Sequence, residues 1–137
     1  MRMLTFRVGP IAYPVGTASF LGSFFDTIEV RLESGQRGRD FPALAALYSS
    51  GELASEDAVR ARNELADVAV GLQALPVADL VWDAKHPEQT PPWGDRIAAT
   101  IRTLRDYHVT ADGRSLIGVL DEALATSVAI QRPLRLQ

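Results

Sequence analysis

The clearest alternation of apolar and polar positions falls at residues 26–33, where Ile28, Val30 and Leu32 lie on one side and Thr27, Glu29, Arg31 and Glu33 on the other. A period of two with β-branched residues predicts a strand with one buried and one wet face, the habit of an antiparallel sheet. Leu4, Phe6 and Val8, alternating with Thr5 and Arg7, predict an opening strand over 3–8. Between the two, residues 13–22 are rich in Gly, Pro, Ser and Thr and read as a loop.

Beyond the turn-forming stretch 34–40 the spacing becomes helical. Pro42 suits a first helical turn and Gly51 a helix end, which predicts a short helix over about 42–49. Ser55 as N-cap, with Glu56 and Asp57 at the positive end of the helix dipole, opens a longer helix that runs to about Leu75 and is stopped by Pro76. Its apolar stripe is Ala61, Leu65, Val68, Leu72 and Leu75, its wet face Arg60, Asn63, Glu64 and Asp67, and it should pack on the apolar face of the sheet. Residues 80–83 suggest a short strand or an extended link. A third helix capped by Asp95 would turn Ile97, Ile101 and Leu104 inward. Residues 107–110 read as extended and 111–114 as a turn. Leu116, Leu120, Ala123, Leu124 and Ser127 then define a last helix before an extended tail. Strands that precede most of the helices predict an α+β fold, an antiparallel sheet with helices packed mainly on one face, and 137 residues fit a single domain.

The chemistry suggested by composition is sparse. Absence of cysteine excludes disulfides, thiolate nucleophiles and thiolate metal sites. The uncharged stretch 8–25 is interrupted by Gly9, Pro10, Pro14, Gly16 and Gly22, so it is neither a signal peptide nor a membrane span, and a cytoplasmic protein is expected. His86 and His108 lie in separate segments without metal-ligand spacing, and no glycine pattern suggests a phosphate cradle. Neither a cofactor nor a metal is therefore expected. Asp112, Gly113 and Arg114 read as a turn, and Trp82 as a core residue. Charge is more informative: residues 52–95 carry nine acids against three bases, −6, which leaves +3 for the rest of a chain whose total is −3. Such a balance disfavours nucleic acid as a direct ligand and suits a basic protein partner.

Four blocks recur in a familiar order: "SFFDTIEVRLE" (23–33), "RDFPALAALYSSGELA" (39–54), "VWDAKHPEQTPPWGDRI" (81–97) and "YHVTADGRSL" (107–116). Together they resemble the immunity protein 70 family of bacterial polymorphic toxin systems. The resemblance implies a small cytoplasmic protein, encoded beside a toxin, that binds the toxin's C-terminal domain and blocks it without catalysis of its own. An acidic partner surface would suit a nuclease-type toxin, with Glu52, Asp57, Asp83, Glu88 and Asp95 as candidate contacts. Trp82, Pro91, Pro92, Trp93, Gly94, Asp112, Gly113 and Arg114 carry the family pattern and are expected to determine the fold. Two other readings remain open: a small hydrolase or nuclease built from Asp83, Asp112, Arg114, His86 and His108, and a binding or adaptor domain unrelated to toxins. The oligomeric state is left open.

Overall fold

The computed structural model describes residues 2–94 and 96–137. Strands β1 (Met3–Val8) and β2 (Ile11–Thr17) lead into helix α1 (Ala18–Thr27), which continues as a π-helical segment, Ile28–Leu32. Helix α2 (Pro42–Ser50), strand β3 (Glu52–Leu53) and helix α3 (Ser55–Gln73) follow. A 3-10 turn at Val77–Asp79, helix α4 (Leu116–Ile130) and strand β4 (Leu134–Leu136) complete the order. The sheet is antiparallel throughout, with strand order β2-β1-β4-β3, and the fold is α+β. A β-bulge between Leu4 and Thr5 shifts the β1–β2 register.

Alternation along the strands divides the sheet into two faces. Phe6, Val8, Tyr13, Val15, Leu53 and Leu134 are buried in one continuous core with the apolar faces of the helices. Arg7, Ala12, Pro14 and Arg135 point the other way and are exposed. Helices α1 and α4 pack on the sheet, while α3 packs chiefly against α4 and α2, one layer further out than its apolar stripe suggests.

The predicted strand at 26–33 is not formed; those residues end α1 and build the π-helical segment. The reason lies just upstream of the alternation. Leu21, Phe24, Phe25, Ile28 and Leu32 recur at helical intervals, and the first four are buried, so one helical stripe absorbs the positions that also fit a period of two. The supposed loop at 13–22 is instead β2 and the start of α1, where the Thr17 hydroxyl accepts the Phe20 N–H at 3.2 Å. The third helix is also absent. Thr103 bridges to Pro76 and Leu104 N–H donates to Leu75 O, which draws the backbone out of helical geometry. The inward role of its apolar residues survives, with Leu104 fully buried and Ile97 and Ile101 half-buried against the core. Its proposed cap, Asp95, lies outside the described residues. At α3, Ser55 is the first helical residue and makes no capping bond; Ala54 holds the N-cap position.

Two buried carboxylates hold the start of α2. Glu33, 2% exposed, accepts the N–H groups of Asp40 and Phe41 at 2.9 and 3.1 Å. Glu64, 8% exposed and thus not on the wet face of α3, accepts those of Ala43 and Leu44 at 3.2 and 3.0 Å. Pro42 has no N–H to satisfy, so the free donors at this helix end are matched by acids from two other segments, in the electrostatic sense that a helix N-terminus favours. Replacing Glu64 with Ala should therefore destabilise the protein by about 2–3 kcal/mol, because two buried amides lose their acceptor together. Glu64→Gln, which keeps one acceptor, should lose less. Urea unfolding of the two variants beside the native chain measures both.

Candidate functional site

From Leu80 to Ser115 the described residues form no helix or strand beyond isolated bridges. So long an irregular stretch in a compact fold is generally a functional surface held by a rigid frame. The frame here is α1. Ser23, Asp26 and Thr27, spaced to share one helix face, grip the backbone of 81–84. The hydroxyls of Ser23 and Thr27 donate to Val81 O at 2.9 and 3.1 Å, Val81 N–H donates back to Thr27 Oγ1 at 3.2 Å, and Ala84 N–H donates to Asp26 Oδ2 at 2.9 Å.

The "PPWG" run is a β-turn. Gly94 N–H donates to Pro91 O at 2.9 Å, Pro92 occupies the second position, and Gly94 takes a φ of 58°. The turn presents Trp93, whose indole N–H donates to the Tyr107 hydroxyl at 2.7 Å and whose ring meets Trp82 edge-on at 5.2 Å. Trp82 is half-buried rather than a core residue, and it walls two hollows. One, of about 620 Å³, is a charged cleft lined by Asp26, Glu29, Arg37, Tyr48, Trp82 and Asp83. The other, of about 580 Å³, is bounded by Leu80, Pro91, Gly94, Ile97 and Tyr107.

Inside the cleft, Arg37 reaches Asp26 and Glu29 together and lies 5.1 Å above the Tyr48 ring. Burial opposes its charge, but the hydrogen bonds to Glu29 and Asp26 prevail and hold the guanidinium above its usual range. Asp83 sits at the rim and bonds His86 Nδ1 at 3.1 Å and Lys85 N–H at 3.0 Å; the histidine first, then the amide, lower its pKa. Of the four described acids among the five picked from the sequence, Asp83 alone lines this cleft. Glu88 is exposed further along the same segment. Glu52 pairs with Arg135 on the sheet at 2.9 Å and Asp57 is exposed in the first turn of α3; no hydrogen bond or ion pair among the described residues joins either to the cleft. Asp95 lies outside the described residues. Asp26 and Glu29 fall in the stretch whose alternation predicts a strand, which hides their three-residue helical spacing.

Of the residues of the hydrolase reading, Asp83 and His86 pair at the cleft rim, while Asp112, Arg114 and His108 are engaged elsewhere. Asp112 bonds Thr110 Oγ1 within its own turn, which Gly113 closes at φ 83°, and Arg114 pairs with Glu122 on α4. His108 is 2% exposed and ringed by Phe20, Phe24 and Tyr107 at centroid distances of 5.5, 5.4 and 5.2 Å. Because Ser23 commits its hydroxyl hydrogen to Val81 O, it accepts from His108 Nε2–H at 3.3 Å, which makes His108 the Nε2–H tautomer and leaves Nδ1 without a partner among the described residues. Burial lowers its pKa to about 3. Among the described residues no group of His, Asp and Glu is placed to hold a metal ion, and no helix is long and apolar enough to cross a membrane.

The sequence profile of the immunity protein 70 family matches residues 6–136. Comparison with curated proteins and with solved structures gives no match.

Two measurements test the frame around the irregular segment. Trp93→Phe should destabilise by about 1 kcal/mol through the lost bond to Tyr107, and Trp93→Ala by about 2 kcal/mol or more, since the indole is half-buried. For His108, the folded pKa lies below the unfolded value, so the unfolded chain takes up the proton first as pH falls. Its contribution is complete above pH 6.5 and is lost below it, by about 1.4 kcal/mol per pH unit down to about 3. Unfolding free energies of the native chain and His108→Gln between pH 6.5 and 4.5 should converge with that slope.

Proposed function

Because the chain belongs to the immunity protein 70 family, we propose that it is an immunity protein of a bacterial polymorphic toxin system, acting in the cytoplasm as a single domain. It binds the C-terminal domain of its cognate toxin and neutralises it by covering the active site, without catalysis or a cofactor of its own. The observation that carries this reading is the family match over residues 6–136, which takes in all four sequence blocks. A toxin of nuclease type suits the acidic character of the chain. At the rim of the cleft Asp83, with Glu88 exposed further along the same segment, would receive the basic side chains that otherwise hold phosphates, while Asp26 and Glu29 are held by Arg37 within it. Glu52, Asp57 and Asp95 remain candidate contacts on the same electrostatic argument.

Co-expression with the toxin domain encoded beside this chain tests the reading: cells carrying the native chain should survive and cells lacking it should not. The acidic cleft is tested by the double variant Asp83→Lys, Glu88→Lys. Glu88 is exposed, so its reversal should change stability by less than about 0.5 kcal/mol; Asp83→Lys also gives up the bonds to His86 and the Lys85 amide, so the melting temperature of the double variant is read beside that of the native chain. Association with the toxin should slow at least tenfold, and its salt dependence should flatten. Unchanged kinetics would remove the cleft from the interface while leaving the immunity reading in place.

A further inference from the structure

One row of cross-strand neighbours runs over the whole sheet: Ala12 on β2, Arg7 on β1, Arg135 on β4 and Glu52 on β3. All four are exposed, on the face opposite the core. Thr5 and the residue after β4, Gln137, exchange both backbone hydrogen bonds at 2.8 and 2.9 Å, so Arg7 and Arg135, two positions along, form the next hydrogen-bonded pair, with Cα atoms about 5.5 Å apart. Two arginines therefore stand on directly opposed positions of an open face, with the Arg135 guanidinium engaged by Glu52 on its other side. Like charges in that relation destabilise a sheet. Glu52 bonds only Arg135, at 2.9 Å, and Arg7 has no ion-pair partner among the described residues.

From this arrangement we infer that the open face of the sheet is a second contact surface, with Arg7 and Arg135 jointly taking a carboxylate of the toxin domain. The inference rests on the immunity reading and adds to the acidic cleft a contact of opposite sign. A carboxylate set between the two arginines would relieve their repulsion and can accept paired N–H bonds from a guanidinium. Apart from Glu52, the exposed residues around the pair include the uncharged Met3, Ala12 and Pro14. A toxin carboxylate needs only this pair, whereas a second copy would have to set Glu52 of each chain against Arg7 of the other, an alternative that would show as self-association of the native chain. Nucleic acid does not fit, because Glu52 lies in the same row and the chain is −3 overall.

Arg7→Glu is the discriminating variant, for it places an acid opposite Arg135. The isolated variant should melt no lower than the native chain, while its affinity for the toxin domain encoded beside it falls at least tenfold; Arg7→Gln should fall between. Affinity by calorimetry and melting by circular dichroism give the two readouts. Native-like toxin binding by Arg7→Glu overturns the inference and spares the immunity reading. A lowered melting temperature that accounts for the weaker binding also overturns it, by making Arg7 structural. So does self-association of the native chain that Arg7→Glu abolishes, or binding to a short DNA duplex that it abolishes. If the native chain fails to bind or to protect against the toxin, the immunity reading falls, and this inference with it.

Discussion

The grip of α1 on the backbone of Val81 and Ala84 is the interaction on which the rest of the surface depends. A segment of more than thirty residues without regular structure cannot satisfy its own amides, and a buried amide without a partner is costly. Ser23, Asp26 and Thr27 supply the missing partners at the point where the segment begins. His108, bonded to the same serine, ties in its far end. The Trp82–Trp93–Tyr107 contacts then brace the middle. Three of the four sequence blocks meet in this one assembly, which explains physically why they occur together.

The acidic middle of the chain serves two distinct ends. Glu64 is structural, buried with Glu33 under the N-terminus of α2, where it neutralises donors that no solvent reaches. Asp83 and Glu88 are held at or near the surface by the irregular segment, and Asp83 shares its cleft with acids from α1. Net charge along the sequence could not separate these roles, because the distinction is one of burial. It also hid the opposite surface, where arginines from positions far apart in the chain become neighbours only through strand pairing.

What was legible in the sequence follows the range of the interactions. Helices α2 and α3 were readable from local punctuation: Pro42, the left-handed Gly51 at φ 79°, and an apolar stripe with buried Ala61, Leu65, Val68 and Leu72. The opening strand and the last helix were readable for the same reason. Residues 26–33 were not, since a window that starts at Asp26 cannot see that Leu21, Phe24 and Phe25 set a helical period. Nor was the segment 96–107, where apolar spacing correctly marked burial but a bridge to Pro76 replaced the helix. Among the acids that line the cleft, Asp83 is one that the sequence singles out, and the positive φ of Gly94 agrees with its expected backbone role; Asp26, Glu29 and the arginine pair required the fold.

The central position of β4 bears on the order in which the molecule is made. Residues 134–136 sit between β1 and β3, so β1 finds one of its two neighbours only after more than a hundred further residues have been made. Until then Phe6 and Val8 lack the cover that Leu134 and Leu136 provide, and the two arginines of the open face are not yet on neighbouring strands. Helices α1, α2 and α3 can form early from local contacts, but the sheet closes last. A surface that spans β1 and β4 therefore exists only once these two distant strands have paired, so its appearance reports that the sheet is complete.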